Sequence, residues 1–182
     1  MDNNLLRFKE AQKESYASAY KELQAGKKKT HWMWYIFPQI KGLGRSSMAT
    51  YYAIHDMKEA VAYLQDEELH THLVNLCEVL LLQEKTNPIE IFGSIDSQKL
   101  QSSMTLFSYA AELLREKDTA KSGKMPTLFI NTNEEDTENQ IFNQVLEKFF
   151  NGKKDKATES LIFFGELPKE MPKFTKNEQK LR

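Results

Sequence analysis

The chain is 182 residues long, enough for one domain with a single sizeable core, and 40% hydrophobic and 28% charged residues are ordinary for a globular protein. Basic and acidic residues nearly cancel, 25 against 26, so no global field draws the chain to nucleic acid. The single cysteine, Cys77, excludes an intramolecular disulfide and a thiolate-rich metal site.

In chain order, the start MDNNLLRFKEAQKES is charged and lacks the apolar core of a signal peptide. No later run approaches the ~18 apolar residues of a membrane span. A cytoplasmic protein with no membrane contact is expected. Over 3–25, Leu5, Phe8, Ala11, Tyr16, Ala19, Tyr20 and Leu23 recur three or four apart, the stripe of an amphipathic helix that Gly26 ends. The KKK run at 27–29 reads as a solvated loop, with a phosphate-facing patch as the alternative.

Residues 31–54, HWMWYIFPQIKGLGRSSMATYYAI, are the richest stretch of the chain. THWMWYIF is too apolar to show one face, so Trp32 to Phe37 are expected to be mostly core. Thr30 would cap a short helix that Pro38 ends, with a strand as the runner-up. KGLGRSS predicts a tight loop, with Gly42 and Gly44 free to take positive φ. Ser46 or Ser47 then caps a helix running to about Leu64.

Another helix is expected over 66–83, with Cys77 inside its apolar stretch as a core residue rather than a nucleophile. Asn87-Pro88 opens a short helical turn ending at Gly93. Asp96 would cap the next helix, buried through Leu100, Met104, Phe107, Ala111 and Leu114. Loop chemistry returns at 117–136 around one apolar run, TLFI, expected to dock as an extended segment. Thr137 opens a helix stopped at Asn151-Gly152, and Asp155 caps a last one ending at Gly165. The expected class is all-α, an array-like bundle of about six to eight helices. It forms one domain over 1–165 with a loop insertion at about 117–136, followed by a loosely held polar tail at 166–182.

Several residues carry candidate chemistry. GLGRSS before a helix has the parts of an anion site: Gly42 and Gly44 admit close backbone approach, Arg45 offers a fork, and Ser46 and Ser47 donate hydroxyls. Its spacing matches neither the dinucleotide fingerprint nor the triphosphatase phosphate loop, and a plain loop with an N-cap is the commoner explanation. His31 beside Trp32 and Trp34 is a proton carrier or stacking neighbour, or simply a core-edge histidine. Gln39, fixed behind Pro38, presents an amide edge. Lys99, Ser102 and Ser103 share two helical turns, as a lysine-activated serine requires, although helical serines more often bond their own backbone. Asp96 and Lys99 are placed for an ion pair. His70 and His72 lie on different sides of one helix and His55 is isolated, so no metal site is expected. One echo, RSSMATYYA at 45–53 and QSSMTLFSYA at 101–110, follows from two serines opening a packed helix.

The blocks LLRFKEAQKESYASAYKELQAGKKKTHWMWYIFPQIKGLGRSSMATYYAI, IFGSIDSQKLQSSMTLF and FNQVLEKFFNGKKDKATESL resemble the bacterial family called domain of unknown function 1810, over roughly residues 4–165. The resemblance implies an all-helical single domain and carries no activity. The 117–136 stretch and the tail depart from the pattern. Some members bear a calpastatin-like label, but a compact aromatic core is unlike a disordered inhibitor segment.

The leading expectation is a pocket built from the 31–47 loop and the 96–105 helix for a small phosphate-bearing or nucleotide-like ligand. Trp32 or Trp34 would stack on a ring, Arg45, Ser46 and Ser47 would hold an anion, and Gln39 would read a polar edge. Hydrolysis there would use His31, Asp96 or Lys99. No cofactor is implied. The alternative is a non-catalytic interaction or scaffold module, with the aromatic run as core and an exposed apolar helix face at 137–163 meeting a partner or a second copy. A nucleic-acid reading rests on the KKK run alone.

Overall fold

The computed structural model describes residues 5–122 and 137–167. Eight helices lie among them: α1 (Leu6–Gln24), α2 (Met33–Ile36), α3 (Ser47–Tyr51), α4 (Met57–Gln65), α5 (Glu67–Leu81), α6 (Pro88–Ser122), α7 (Thr137–Phe150) and α8 (Lys156–Phe164). Among the described residues the only β pairing is one isolated parallel bridge, Ile40 to Ile54. The fold is all-α, as the periodicity predicts.

The helix starts follow capping chemistry. Ser46, Asp56, Asp66 and Asp155 each accept a backbone N–H three residues on, satisfying a donor that has no intrahelical partner. At the far ends, Gly26 (φ 63°) and Gly165 (φ 72°) take the left-handed conformation that closes α1 and α8. The ammonium of Lys148 donates to the carbonyls of Leu80, Leu81 and Gln83, so α7 caps the C-terminus of α5.

Three expectations are corrected. Thr30 caps no helix: α2 starts from Trp32 without a side-chain cap, and the Thr30 hydroxyl donates to Glu22 instead. The single helix expected from Ser46 or Ser47 to Leu64 is two helices. Residues 52–56 leave helical geometry, which lets Ile54 enter the core fully buried and bridge Ile40. Asp56 then restarts the helix as a cap. Asp96 is also not a cap. Gly93, at φ 76° and ψ 171°, breaks α6, helical geometry resumes directly after it, and Asp96 falls inside the new first turn. This helix runs on to Ser122, beyond the turn predicted near 117. The TLFI run and most of the tail lie outside the described residues.

α6 packs on α7, α4 and α8, while α1 packs on α5 and α2. Phe8, Leu23, Trp32, Phe37, Tyr63, Leu73, Cys77, Met104, Phe107 and Phe142 fill the shared core at 1% exposure or less. Burial holds the Cys77 thiol far above its ordinary pKa, so it is a packing group, as its sequence context predicts.

Candidate functional site

A cleft of about 350 Å³ opens where the loop after α1 meets the break in α6. Lys28, His31, Trp34 and Lys99 surround it, with Phe92 to Asp96 on the α6 side. Phe92 is only 7% exposed and stands edge-on to Trp32 and Phe37, so the cleft rests on packed aromatic core.

The loop that carries Lys28 and His31 is held by one carboxylate. Glu22, on the last turn of α1, accepts from the backbone N–H groups of Lys29 (2.7 Å) and Thr30 (3.0 Å). It also accepts from the Thr30 hydroxyl (2.5 Å) and the Trp32 indole N–H (2.9 Å). Partial burial pushes its pKa up, but these four donors outweigh that and bring it from 4.5 to about 2. The Lys28 N–H donates to the Ile91 carbonyl at 2.8 Å and the Lys27 ammonium to that of Glu90, which staples the loop to the first part of α6.

Asp96 spans two cations. Oδ2 meets Lys28 Nζ at 2.8 Å and Oδ1 meets Lys99 Nζ at 2.7 Å. Burial raises the Asp96 pKa, yet the two ammonium groups outweigh it and hold the carboxyl below its usual range. Each lysine also lies over an indole: Lys28 Nζ is 4.9 Å from the Trp32 ring centre and Lys99 Nζ 4.8 Å from that of Trp34. Trp32 is fully buried, whereas Trp34 is half-buried and lines the cleft. The helix that resumes after Gly93 turns its positive end to the same space.

Of the residues singled out by sequence, the fold therefore brings together His31, Trp34, Asp96 and Lys99. The others lie elsewhere. Gln39 uses its backbone carbonyl to accept from Ile54 N–H. Gly42, at φ 110°, packs against Leu161. Gly44 lies against Ala49, where an added Cβ would come within 2.3 Å of the Ala49 Cβ. Ser46 caps α3, Ser47 is its exposed first residue, and exposed Arg45 forms no ion pair among the described residues. GLGRSS is thus a packed loop and cap outside the cleft.

Ser102 and Ser103 are buried and do not line the cleft. Ser102 shares a 2.7 Å hydrogen bond with Thr158, and Thr105 accepts from the Asp155 N–H at 2.8 Å. The KLQSSMT block is therefore the polar seat of α8. Ser103 is wholly buried with no hydrogen-bond partner, while Lys99 spends its ammonium on Asp96, so no serine–lysine pair forms. Phe149 is buried and Phe150 half-buried, so the exposed aromatics of the last two helices are Phe163 and Phe164. Sequence reading understated Lys28 and missed Glu22. The KKK run was the signal for the first, and an acidic residue ahead of a donor-rich loop was the only one for the second.

A second, larger cleft of about 600 Å³ is lined by Lys9, Gln65 to Glu68, Thr71 and His72. Asp66 already has work, capping α5 and pairing with Lys9 at 2.7 Å, and Glu68 meets the same lysine at 3.5 Å. His72 stacks on Tyr16 at 3.8 Å and its Nδ1 meets Gln12 Oε1 at 2.8 Å. Gln12 must donate its amide N–H groups to the Tyr35 carbonyl and Tyr63 hydroxyl, so Nδ1 of His72 carries the proton. Burial lowers the His72 pKa against the opposing pull of the Glu68 charge. No cluster of three or more metal-ligating side chains occurs among the described residues. No described helix is long and apolar enough to cross a membrane.

The fold is similar to the crystal structure of the conserved hypothetical protein Rv1873 from Mycobacterium tuberculosis. The TM-score is 0.73 at 35% identity, covering 89% of this chain and 98% of that one. No curated protein matches the chain. Residues 2–116 match the family model described as Protein of unknown function (DUF1810), a span that holds every residue of the smaller cleft. The chain belongs to this DUF1810 family.

Proposed function

We propose that the cleft between the 28–34 loop and the start of the second part of α6 binds a small anionic ligand carrying a flat ring. The observation that carries this reading is the Lys99 ammonium, held over the Trp34 ring by Asp96 at the edge of a cavity of about 350 Å³. That size lies at the lower end of small-molecule sites. Trp34 supplies a stacking surface, Lys99 and the positive helix end attract an anion, and Glu22 sets the loop before the ligand arrives.

Binding rather than hydrolysis is the better-supported role. Asp96 is held ionised by two ammonium groups, which makes it a weak proton acceptor at neutral pH. Lys99, the base a serine nucleophile would need, is engaged by Asp96 at 2.7 Å. The lone buried thiol of Cys77 supports a cytoplasmic setting, where thiols stay reduced. Cell fractionation recovering the chain from an oxidising compartment would remove that part.

Thermal denaturation with AMP, ADP-ribose and inorganic phosphate tests the reading. A ligand at 100 times its Kd adds about 2.7 kcal/mol, which raises Tm by roughly 5–11 °C for a chain of this size. Trp34→Ala should abolish the rise while leaving the unliganded protein folded. No rise with any of the three, nor with an aromatic carboxylate such as 2-naphthoate, would sink the proposal.

A further inference from the structure

We infer that the ligand of this cleft is a monoanion, a flat-ringed phosphodiester or carboxylate, and not a polyphosphate. This rests on the binding reading above and narrows it to a class of ligand by counting charge and hydrogen-bond donors.

Lys28 has at most one donor left to give, and that one lies on the side of the Trp32 ring. Its ammonium carries three N–H groups. One meets Asp96 Oδ2 at 2.8 Å, one meets the Thr30 carbonyl at 2.7 Å, and the group also lies over the Trp32 ring. Its side chain is 8% exposed. Lys28 is therefore part of the wall, fixing Asp96 and the loop.

Lys99 is different. Its ammonium meets Asp96 Oδ1 at 2.7 Å and lies over Trp34, which leaves at least one N–H for a ligand, and its side chain is 21% exposed. Asp96 has both oxygens engaged and cancels one of the two ammonium charges. With histidine counted as neutral, as in the formal charge, the two lysines and one carboxylate among the lining residues leave a single net positive charge, to which the helix end adds roughly half a charge. One ligand negative charge is matched there. Each further charge enters beside Asp96 without a partner, and an uncompensated charge in a partly desolvated site is costly.

The ring half of the ligand has its own surface. Trp34 is half-buried, and Ile95, 71% exposed, stands on the same cleft as an apolar residue without cover. A flat ring between them would bury apolar area while its anionic group reaches Lys99.

Isothermal titration of the full chain at fixed ionic strength reads this directly, using one ring with rising charge: adenosine, 3′,5′-cyclic AMP, AMP and ATP. The expected affinity increases about tenfold from adenosine to cyclic AMP, the gain of one charge-assisted hydrogen bond, and does not increase further to AMP or ATP. Lys99→Met should erase that step. Titration with 2-naphthoate separates the two sources: binding by naphthoate alone assigns a carboxylate, and by cyclic AMP alone a phosphodiester. Affinity that climbs through AMP to ATP overturns the monoanion assignment and leaves the binding reading standing. Adenosine binding as tightly as cyclic AMP also overturns it. No binding by any probe removes the reading itself.

Discussion

Glu22 is the side chain on which the cleft most depends, and pH exposes its role. Its folded pKa lies near 2 against an ordinary 4.5, because four donors converge on the ionised form despite the burial that opposes it. A depressed carboxylate pKa adds stability that is fully present above the unfolded value and is lost as pH falls toward the folded one. Denaturation midpoints of the wild type should thus exceed those of Glu22→Gln most above pH 4.5, and the gap should narrow on the way down to pH 2. A gap that stays constant over that range would mean the carboxylate charge is not what holds the loop. The same logic explains why this residue was invisible in sequence. A glutamate on the last turn of α1 looks solvated until the chain turns back and lays Lys29, Thr30 and Trp32 against it.

At the scale of elements, the 41–51 loop shows how composition can suggest a site and packing assign another role. Gly44 is required because Ala49 of α3 occupies the space where its Cβ would be, 2.3 Å away. Gly44→Ala should cost about 1–3 kcal/mol by overpacking, measured by urea denaturation, and Ala49→Gly in the same chain should recover much of it. Two costs that simply add would show that this contact is not the cause. The two serine pairs diverge in the same way. Ser46 caps a short exposed helix, whereas Ser102 lies buried in mid-helix and bonds Thr158. The shared SSM pattern marks no structural repeat.

For the molecule as a whole, one buried ion pair ties the first helix to the middle of the chain. Arg7 meets Glu59 at 2.8 Å with side chains 4% and 7% exposed, and it also donates to the Ala53 carbonyl at 2.8 Å. Glu59 in turn accepts from the His55 N–H at 2.7 Å. Removing one member leaves the other charged and buried, so Arg7→Met should cost about 3–5 kcal/mol, while Arg7→Met with Glu59→Gln should cost less. Equilibrium unfolding checks this, and a double variant no more stable than the single one would place the loss in packing rather than charge.

By itself the sequence determined the all-α class and most of the helices, because apolar spacing, capping Asp and Ser and terminal glycines are local signals that act within a few residues; the interruption at 52–56 and the start after Gly93 escaped it. It also singled out His31, Trp34, Asp96 and Lys99 as chemically rich. Tertiary structure alone decided which of the candidates meet. The break at Gly93 and the loop stapled to Ile91 bring Lys28, Trp34 and Lys99 around Asp96, while the bridge from Ile40 to Ile54 belongs to the segment that carries Arg45 and Ser47 elsewhere. The contacts between the 28–34 loop and α6 join residues more than 60 positions apart, and the preference for them comes from shared burial and charge compensation that no local pattern encodes.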